Sequence, residues 1–291
     1  MTGITITDVR VQAGDSAFLI DNGRTSVLYD TGFGFTGFAV AEKIKAVLGE
    51  RSLDYIFLTH SHYDHALGSA YILRYFPYAK VVAGEYAAGV FKRDGAKMVM
   101  KELDAKFAAK CGVTDYEFLG DELRVDIPCK DGDVIRAGDM TFTVLDMVGH
   151  TRCSVAFYCA EHKLFLASET TGVYDGCESI VPSYLVSYTA ALDSVRRMTA
   201  LDIQHVVAPH LGLLNEEQTR FYLDNAYRCA EEACDFFAQR IRAGKTDEEI
   251  VEDFKQRYWH AYIRDIYPVD AMTLNTTIMA GLISREVISQ S

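Results

Sequence analysis

A dense cluster of metal-binding side chains lies near residue 60. Within six residues the sequence places His60, His62, Asp64 and His65, all of types that commonly ligate metals. In an extended chain residues two apart point to the same side, so His60 and His62 can bind one ion. Where the chain turns into a helix, Asp64 and His65 can face a neighbouring ion. The cluster therefore predicts a binuclear metal site.

The ligand types in this cluster indicate a catalytic metal rather than a structural one. Imidazole and carboxylate without thiolate suit zinc, iron and other first-row ions, and they leave positions open for water and substrate. We expect two divalent ions, zinc first, with iron or manganese also compatible. Such ions lower the pKa of a water held between them and supply hydroxide at neutral pH. Asp64, close to that water, is the expected catalytic residue that holds its proton.

The elements around the cluster are predicted to place it at the end of a strand. A strand over 55–58 runs into the cluster, and a helix over 66–76 follows. Strands and helices alternate through the chain, with Asn22-Gly23 as a hairpin turn. The other predicted strands are 4–11, 17–20, 26–29, 80–83, 134–136, 140–145, 154–158, 163–166 and 205–208, and the helices are 36–50, 84–110, 187–201 and most of 214–291.

The cluster and its preceding strand resemble the H-x-H-x-D-H signature of the metallo-β-lactamase superfamily. Asp30-Thr31-Gly32 resembles the D-T-G that usually precedes it in that family. The resemblance implies an α/β (α+β) fold, the αββα sandwich, with two metals at one edge of the sheets. We expect a metallo-β-lactamase-like domain over 1–213 and a helical C-terminal extension over 214–291 packed on the same domain. By the same resemblance, Asp30 orients the ligating histidines through hydrogen bonding.

The resemblance also implies three ligands further along the chain. His150, in a Gly-His-Thr setting, matches the third histidine of the first metal site, and His210 matches the last histidine of the second. Glu169 falls where the family usually has an aspartate that bridges the two metals. A glutamate carries the same charge on a longer arm, so it can still reach one or both ions. The alternative is that Glu169 turns away and water completes the site.

The predicted function is a metal-dependent hydrolase that uses a hydroxide held by the binuclear centre to cleave a small ester, thioester, lactone or phosphoester. Two alternatives remain. One is a di-iron oxidoreductase, because flavo-di-iron proteins share this scaffold and use glutamate among their ligands. The other is a non-catalytic metal- or ligand-sensing module, because Glu169 replaces the usual bridge. Candidate substrate-wall residues, whose phenols could stabilise a developing oxyanion, are Tyr63, Tyr174, Tyr184 and Tyr188.

Composition limits the partners and the compartment. The net charge of −12 disfavours binding to nucleic acid. No run of about 18 apolar residues occurs, and the start Met1-Thr2-Gly3-Ile4-Thr5 lacks the layout of a signal peptide, so we expect no membrane span and a cytoplasmic protein.

Seven cysteines without a C-x-x-C pair are expected to be free thiols. Cys153 is expected to pack behind the strand that follows it. Aromatic residues of the C-terminal helices are expected in the core, with a homodimer interface as the alternative.

Overall fold

The structure, a computed structural model, describes residues 3–289. The described chain divides into two compact units. The first extends to Asp146 and includes Val155–Leu166, and the second comprises Met147–Ser154 and the chain from Ala167 onward. This division differs from the predicted boundary after residue 213, which stays a prediction. Met1 and Thr2, used above in judging the signal peptide, and the chain end at 290–291 lie outside the described residues.

The first unit carries most of the strands. Its strands are β1 (Thr5–Asp8), β2 (Phe18–Asp21), β3 (Ser26–Tyr29), β4 (Tyr55–Leu58), β5 (Lys80–Gly84), β6 (Ile127–Cys129), β7 (Val134–Ala137), β8 (Met140–Asp146), β9 (Val155–Cys159) and β10 (Leu164–Leu166). Its α-helices are α1 (Gly37–Leu48), α2 (Tyr63–Ala66), α3 (Gly68–Tyr75), α4 (Glu85–Val90) and α5 (Asp94–Lys110), and short 3₁₀ turns lie at Gly120–Glu122 and Ala160–His162.

These strands form two sheets. The first has the order β1-β2-β3-β4-β5-β6, with antiparallel pairing from β1 to β3 and parallel pairing from β3 to β6. In the second, β7, β8, β9 and β10 pair antiparallel in chain order. Because β3 and β4 are parallel, their C-terminal ends meet at one edge of the first sheet. Asp30 follows β3 and the histidine cluster follows β4, so this topology places the two segments side by side.

An apolar core lies between the two sheets. The ring of Phe57 on β4 lies 5.1 Å from that of Phe142 on β8 and 4.6 Å from that of Phe157 on β9, measured between centroids. Its neighbours Ile56 and Leu58 are also fully buried, although successive strand residues point to opposite faces. The central parallel strand is therefore covered on both faces, as expected for a strand that reads as a continuous apolar run.

The second unit is mainly helical. Its strands are β11 (Val173–Tyr174), β12 (Ile180–Val181), β13 (His205–Ala208) and β14 (Gly212–Leu213), which form two hairpins. Its helices are α6 (Tyr188–Thr199), α7 (Glu216–Arg242), α8 (Asp247–Tyr258), α9 (Ala261–Ile266) and α10 (Val269–Ile283), with a 3₁₀ turn at Glu169–Thr171 and a π turn at Ser284–Ile288. The mixed α/β class and the helical C-terminal region confirm the fold class expected from the sequence.

The C-terminal helices pack on the preceding part of the second unit. Phe236 and Phe237 of α7, together with Phe254 of α8, share one apolar core with Val173 and Tyr184. Capping boxes at the N-termini of α7 and α8 fix where these helices begin. Among the described residues, none of the helices is both long and apolar enough to cross a membrane.

One predicted helix is broken in the structure. The sequence predicted a single helix over 84–110, but α4 and α5 are separated because Arg93 is extended, with φ −95° and ψ 118°. The residues that follow, Asp94 and Gly95, have weak helix propensity in a helix interior, which favours a new start there.

Candidate metal centre

Asp30 connects the two strand ends of the first unit. Its carboxylate accepts hydrogen bonds from the Thr59 backbone at 2.9 Å and from the Thr59 hydroxyl at 3.0 Å. Nδ1 of His65 lies 2.7 Å from its other oxygen, and Ser16 donates to that oxygen at 3.1 Å. Since an ionised carboxylate can only accept, Nδ1 of His65 carries the proton and Nε2 of the neutral ring presents a lone pair. Asp30 thus fixes His65 in the tautomer that a metal ligand needs.

The four predicted ligands of the first unit lie close together. The ring of His60 lies 4.6 Å from that of His62 and 4.1 Å from that of His65. The nearest ligand atoms of His65 and Asp64, Nε2 and Oδ2, are 3.8 Å apart. His60 and His65 are fully buried, whereas the Asp64 side chain is 22% exposed. The rings of His60 and His65 are shielded from water, and the carboxylate of Asp64 remains within reach of solvent.

A glycine allows two backbone segments to approach each other closely after the cluster. A Cβ atom on Gly68 would lie 2.0 Å from the carbonyl oxygen of Thr31. Thr31 in turn donates from its backbone and its hydroxyl to the carbonyl oxygen of His65, at 2.8 and 2.7 Å. The Asp30-Thr31-Gly32 segment is therefore packed directly against the start of α3. Only glycine fits at position 68 without moving this backbone.

The second unit brings the other three predicted ligands together. One carboxylate oxygen of Glu169 lies 2.7 Å from Nε2 of His150, and the other lies 2.8 Å from Nε2 of His210. All three residues are at least 95% buried. Glu169 therefore points towards both histidines and does not turn away from them.

The donor set of the second unit fits a bound cation. Nδ1 of His150 lies 2.7 Å from the carbonyl oxygen of Ser183, which can only accept, so Nδ1 carries the proton. In the neutral ring, Nε2 then presents a lone pair towards the carboxylate of Glu169. Two acceptors facing each other at this distance require a positive charge, either a proton or a metal ion. Imidazole and carboxylate are ligands that zinc accepts.

Two candidate residues adopt strained backbone conformations. Asp30 has φ 52° and His210 has φ 61°, the left-handed region that costs a residue with a side chain about 1–3 kcal/mol. The hydroxyl of Tyr262 donates to the carbonyl oxygen of His210 and helps to hold this conformation. Strain of this kind persists only where the surrounding contacts determine the conformation, and it concentrates at functional sites.

A glycine also shapes the chain before His150. Gly149 has φ 151°, and a Cβ atom on it would lie 2.6 Å from the Cα of Ala191. Its carbonyl oxygen accepts from the backbones of Leu185 and Val186, at 2.9 and 2.8 Å. This turn directs His150 towards Glu169 and brings Ser183, two residues before Leu185, to the other side of its ring.

The predicted wall tyrosines occupy different environments. Tyr63 is partly buried, and its ring lies 5.6 Å from that of Phe33. Tyr174, Tyr184 and Tyr188 are at most 8% exposed, and the Tyr174 hydroxyl donates to a backbone carbonyl at 2.8 Å. These three tyrosines lie in the packing of the second unit, and their role as a substrate wall stays a prediction. Cys153 is likewise buried, with its sulfur 3.2 Å from the hydroxyl of Thr151.

Several supporting residues escaped the sequence reasoning. Ser183 supports His150 through its backbone carbonyl, which leaves no signal in the side-chain pattern. Tyr262 supports His210 from 52 positions away. Thr59 could have been found, because its hydroxyl lies directly before His60 and contacts Nδ1 of that ring at 3.0 Å.

Comparison with known proteins identifies relatives of this chain. The sequence model of the family described as the metallo-beta-lactamase superfamily matches residues 13–210 of this chain. The acyl-coenzyme A thioesterase MBLAC2 of Gallus gallus is 28% identical over 168 residues, which cover 55% of this chain and 57% of that protein. A probable hydroxyacylglutathione hydrolase of Schizosaccharomyces pombe is 46% identical over 59 residues, or 20% of this chain and 23% of that protein. These matches span little more than half of the first relative and about a quarter of the second.

A solved structure shares the fold over almost the whole chain. A metallo-beta-lactamase family protein from Thermus thermophilus matches with a TM-score of 0.62 and 20% identity, covering 98% of this chain and 94% of that one. At this identity the likeness shows the fold. The family match covers well over half of the sequence and includes the region from the D-T-G segment to His210. The chain therefore belongs to the metallo-beta-lactamase superfamily.

Proposed function

We propose that this protein is a binuclear metal-dependent hydrolase that cleaves a small ester, thioester, lactone or phosphoester, with a thioester as the first choice. The observation that carries the proposal is the position of Glu169, whose two oxygens face His150 and His210 separately. A carboxylate with one oxygen towards each histidine is suited to lie between two cations. Two matched relatives are named an acyl-coenzyme A thioesterase and a hydroxyacylglutathione hydrolase, and these names support a thioester as the substrate.

The proposed ligands form two sets that share Glu169. His60, His62 and His150 would hold one ion, and Asp64, His65 and His210 would hold the other. Support comes from the order of these residues along the chain and from the tautomers that Asp30 and Ser183 impose within each unit. Zinc is the expected metal, because imidazole and carboxylate without thiolate are typical of catalytic zinc.

The residues of the chain have separate parts in the reaction. When bound, the two ions polarise the scissile carbonyl and lower the pKa of a coordinated water. Asp64, whose side chain is 22% exposed, accepts the proton of the attacking water and passes it to the leaving thiolate or alkoxide as the scissile bond breaks. Asp30 keeps the ring of His65 from rotating, and the Ser183 carbonyl does the same for His150. Such fixed orientation lowers the cost of reaching the reactive geometry.

Three further expectations accompany this function as proposals. All seven cysteines are free thiols, which supports a reducing compartment, and we propose the cytoplasm.

We retain the domain boundary after residue 213, because the family match ends at residue 210. A homodimer through the C-terminal helices is supported by Leu274 of α10, which is 58% exposed, and sedimentation velocity would test it.

A panel of chromogenic thioesters, esters, lactones and phosphodiesters tests the hydrolase directly. We expect turnover of at least one thioester by zinc-loaded protein, abolished in His60→Ala and retained in the control His260→Ala, which changes an exposed histidine. If the metal-loaded protein turns over no member of the panel, the hydrolase proposal is wrong. Two bound irons with turnover of oxygen or nitric oxide would instead establish the oxidoreductase.

A further inference from the structure

Aromatic residues of the first unit adjoin the proposed ligands. We call this group the aromatic shelf; it consists of Phe33, Phe35, Tyr63, Phe107 and Tyr116. The ring of Phe33 lies 4.5 Å from that of Phe107, 5.1 Å from that of Phe35 and 5.6 Å from that of Tyr63. Tyr116 meets Phe35 edge-on at 6.2 Å. Tyr63 stands between His62 and Asp64 in the chain, so the shelf includes a residue of the segment that carries the proposed ligands.

Two buried carboxylates hold the loop that carries the shelf. Asp104 is fully buried and accepts from the backbones of Gly34 and Phe35, at 2.9 and 3.2 Å, and from the Tyr116 hydroxyl at 2.6 Å. Asp15, also fully buried, accepts from the Phe33 backbone at 3.0 Å. These donors are neutral, and burying a carboxylate among neutral groups opposes folding. Together the two carboxylates fix the backbone of the loop at 33–35 through hydrogen bonds.

An exposed apolar stripe continues the shelf along α5. Val99 and Leu103 are 54% and 41% exposed, and Phe107 stacks on Phe33. Residues spaced by four lie along one side of a helix, so these three side chains form a continuous row. The row spans about 12 Å, at 1.5 Å per residue. It leads from solvent to the shelf and through the shelf to the segment of His62 and Asp64.

We propose that the aromatic shelf and this stripe bind an apolar acyl group of the substrate, whose chain extends from the metal ligands along α5. The inference rests on the proposed hydrolase function and names its substrate class: thioesters or esters of medium-length apolar acids. The chemistry of the surface favours such an acid, because Phe35, Tyr63 and Phe107 are partly exposed around the buried ring of Phe33. The buried carboxylates beneath them are already occupied by backbone and tyrosine donors. An acyl chain on this surface would remove apolar area of both partners from water.

The test is a series of thioesters that differ only in acyl length. For acetyl, hexanoyl and dodecanoyl thioesters of N-acetylcysteamine, we expect kcat/KM to rise about threefold for each methylene placed on the stripe. Leu103→Gln should lower kcat/KM for the dodecanoyl substrate about tenfold more than for the acetyl substrate. The matched control is Val47→Gln, at an exposed valine on α1, which should leave the dependence on length as in the wild type.

Binding without turnover separates this inference from the proposed function. A non-hydrolysable dodecyl thioether of N-acetylcysteamine should bind metal-free protein in calorimetry, and both Leu103→Gln and Phe107→Leu should weaken it. If no member of the substrate panel is hydrolysed but the thioether binds in this way, the proposed hydrolase function is wrong and the acyl-binding surface is supported. If hydrolysis is independent of acyl length and the thioether does not bind, the acyl surface is overturned and the hydrolase stands. A change of oligomeric state in Leu103→Gln with an unchanged length dependence would make the stripe an interface between copies and would also overturn it.

Discussion

The carboxylate of Asp30 lies 2.7 Å from Nδ1 of His65, and both side chains are fully buried. This contact joins the ends of two parallel strands, since Asp30 follows β3 and the segment of His65 follows β4. It fixes the protonated nitrogen of the ring and leaves Nε2 to bind a metal. The relation between these two residues is thus both a packing contact of the fold and a condition for the proposed chemistry.

Asp30→Asn should weaken metal binding while the fold is retained. The amide cannot accept all four of the hydrogen bonds that the carboxylate accepts, and it does not increase the basicity of the His65 ring. Loss of such a supporting partner typically lowers metal affinity about 10- to 100-fold. Competition with a chromogenic chelator measures the affinity, and circular dichroism checks the fold. Asp139→Asn, at an exposed aspartate, is the control; equal affinity in both variants would contradict the role given to Asp30.

Glu169→Gln should lower the number of bound metal ions. An amide in place of the carboxylate removes the negative charge that faces His150 and His210. We expect affinity for at least one of the two ions to fall about tenfold or more. Equilibrium dialysis followed by elemental analysis gives the metal content. The control is Glu102→Gln, at an exposed glutamate, whose metal content should equal that of the wild type. If Glu169→Gln bound two ions as tightly as the wild type, Glu169 would not be a ligand.

Gly149→Ala should destabilise the protein strongly. The new methyl group would lie 2.6 Å from the backbone of Ala191, and the φ of 151° is unfavourable for alanine. We expect a loss of about 2 kcal/mol or more in the free energy of unfolding, seen as a fall in Tm of about 3 °C or more. Gly95→Ala is the control, because a Cβ there meets nothing within 4 Å and alanine favours the helix. Similar Tm values for the two variants would refute the close approach at Gly149.

The stability of the protein should fall with rising pH because of Asp104. Burial, with a smaller contribution from the charge of Asp15, raises the pKa of Asp104 from 3.8 to about 6. A carboxyl whose pKa is raised by folding favours the folded state at low pH, and this contribution is lost as the pH rises through the folded pKa. Between about pH 5 and pH 7.5 the wild type should therefore lose about 1 kcal/mol relative to Asp104→Asn. Urea unfolding of the metal-free wild type and of metal-free Asp104→Asn measures this difference. If the free energies of unfolding of the two proteins changed in parallel with pH, the prediction would be contradicted.

The chain order of the ligands made much of the site predictable. The strand before His60 is a continuous apolar run, and ligand types at alternate positions after a strand point to one side. In the structure, His60, His62, Asp64 and His65 lie close together in the first unit. His150 and His210 contact Glu169 in the second unit. Their joint binding of two metals remains a proposal.

The remaining features depend on tertiary contacts that local patterns do not encode. The hairpin of β11 and β12 has two residues in each strand, too few for an alternating pattern to be recognised. The burial of Asp15 and Asp104 could not be expected, since aspartate is rarely buried without an opposite charge. Tyr174, Tyr184 and Tyr188 each have both an apolar ring and a polar hydroxyl. Their residue type is therefore compatible with a substrate-binding wall and with a packed core alike.

Reconstitution of metal-free protein with zinc tests the central claim most directly. Zinc is added stepwise to chelator-treated protein while bound metal and hydrolysis of a dodecanoyl thioester are followed together. We predict that hydrolysis rises with bound zinc and reaches its maximum at two ions per chain, and that His60→Ala gives no activity at any zinc concentration. Thioester hydrolysis by metal-free protein, or wild-type protein that binds two zinc ions without any hydrolytic activity, would contradict the account.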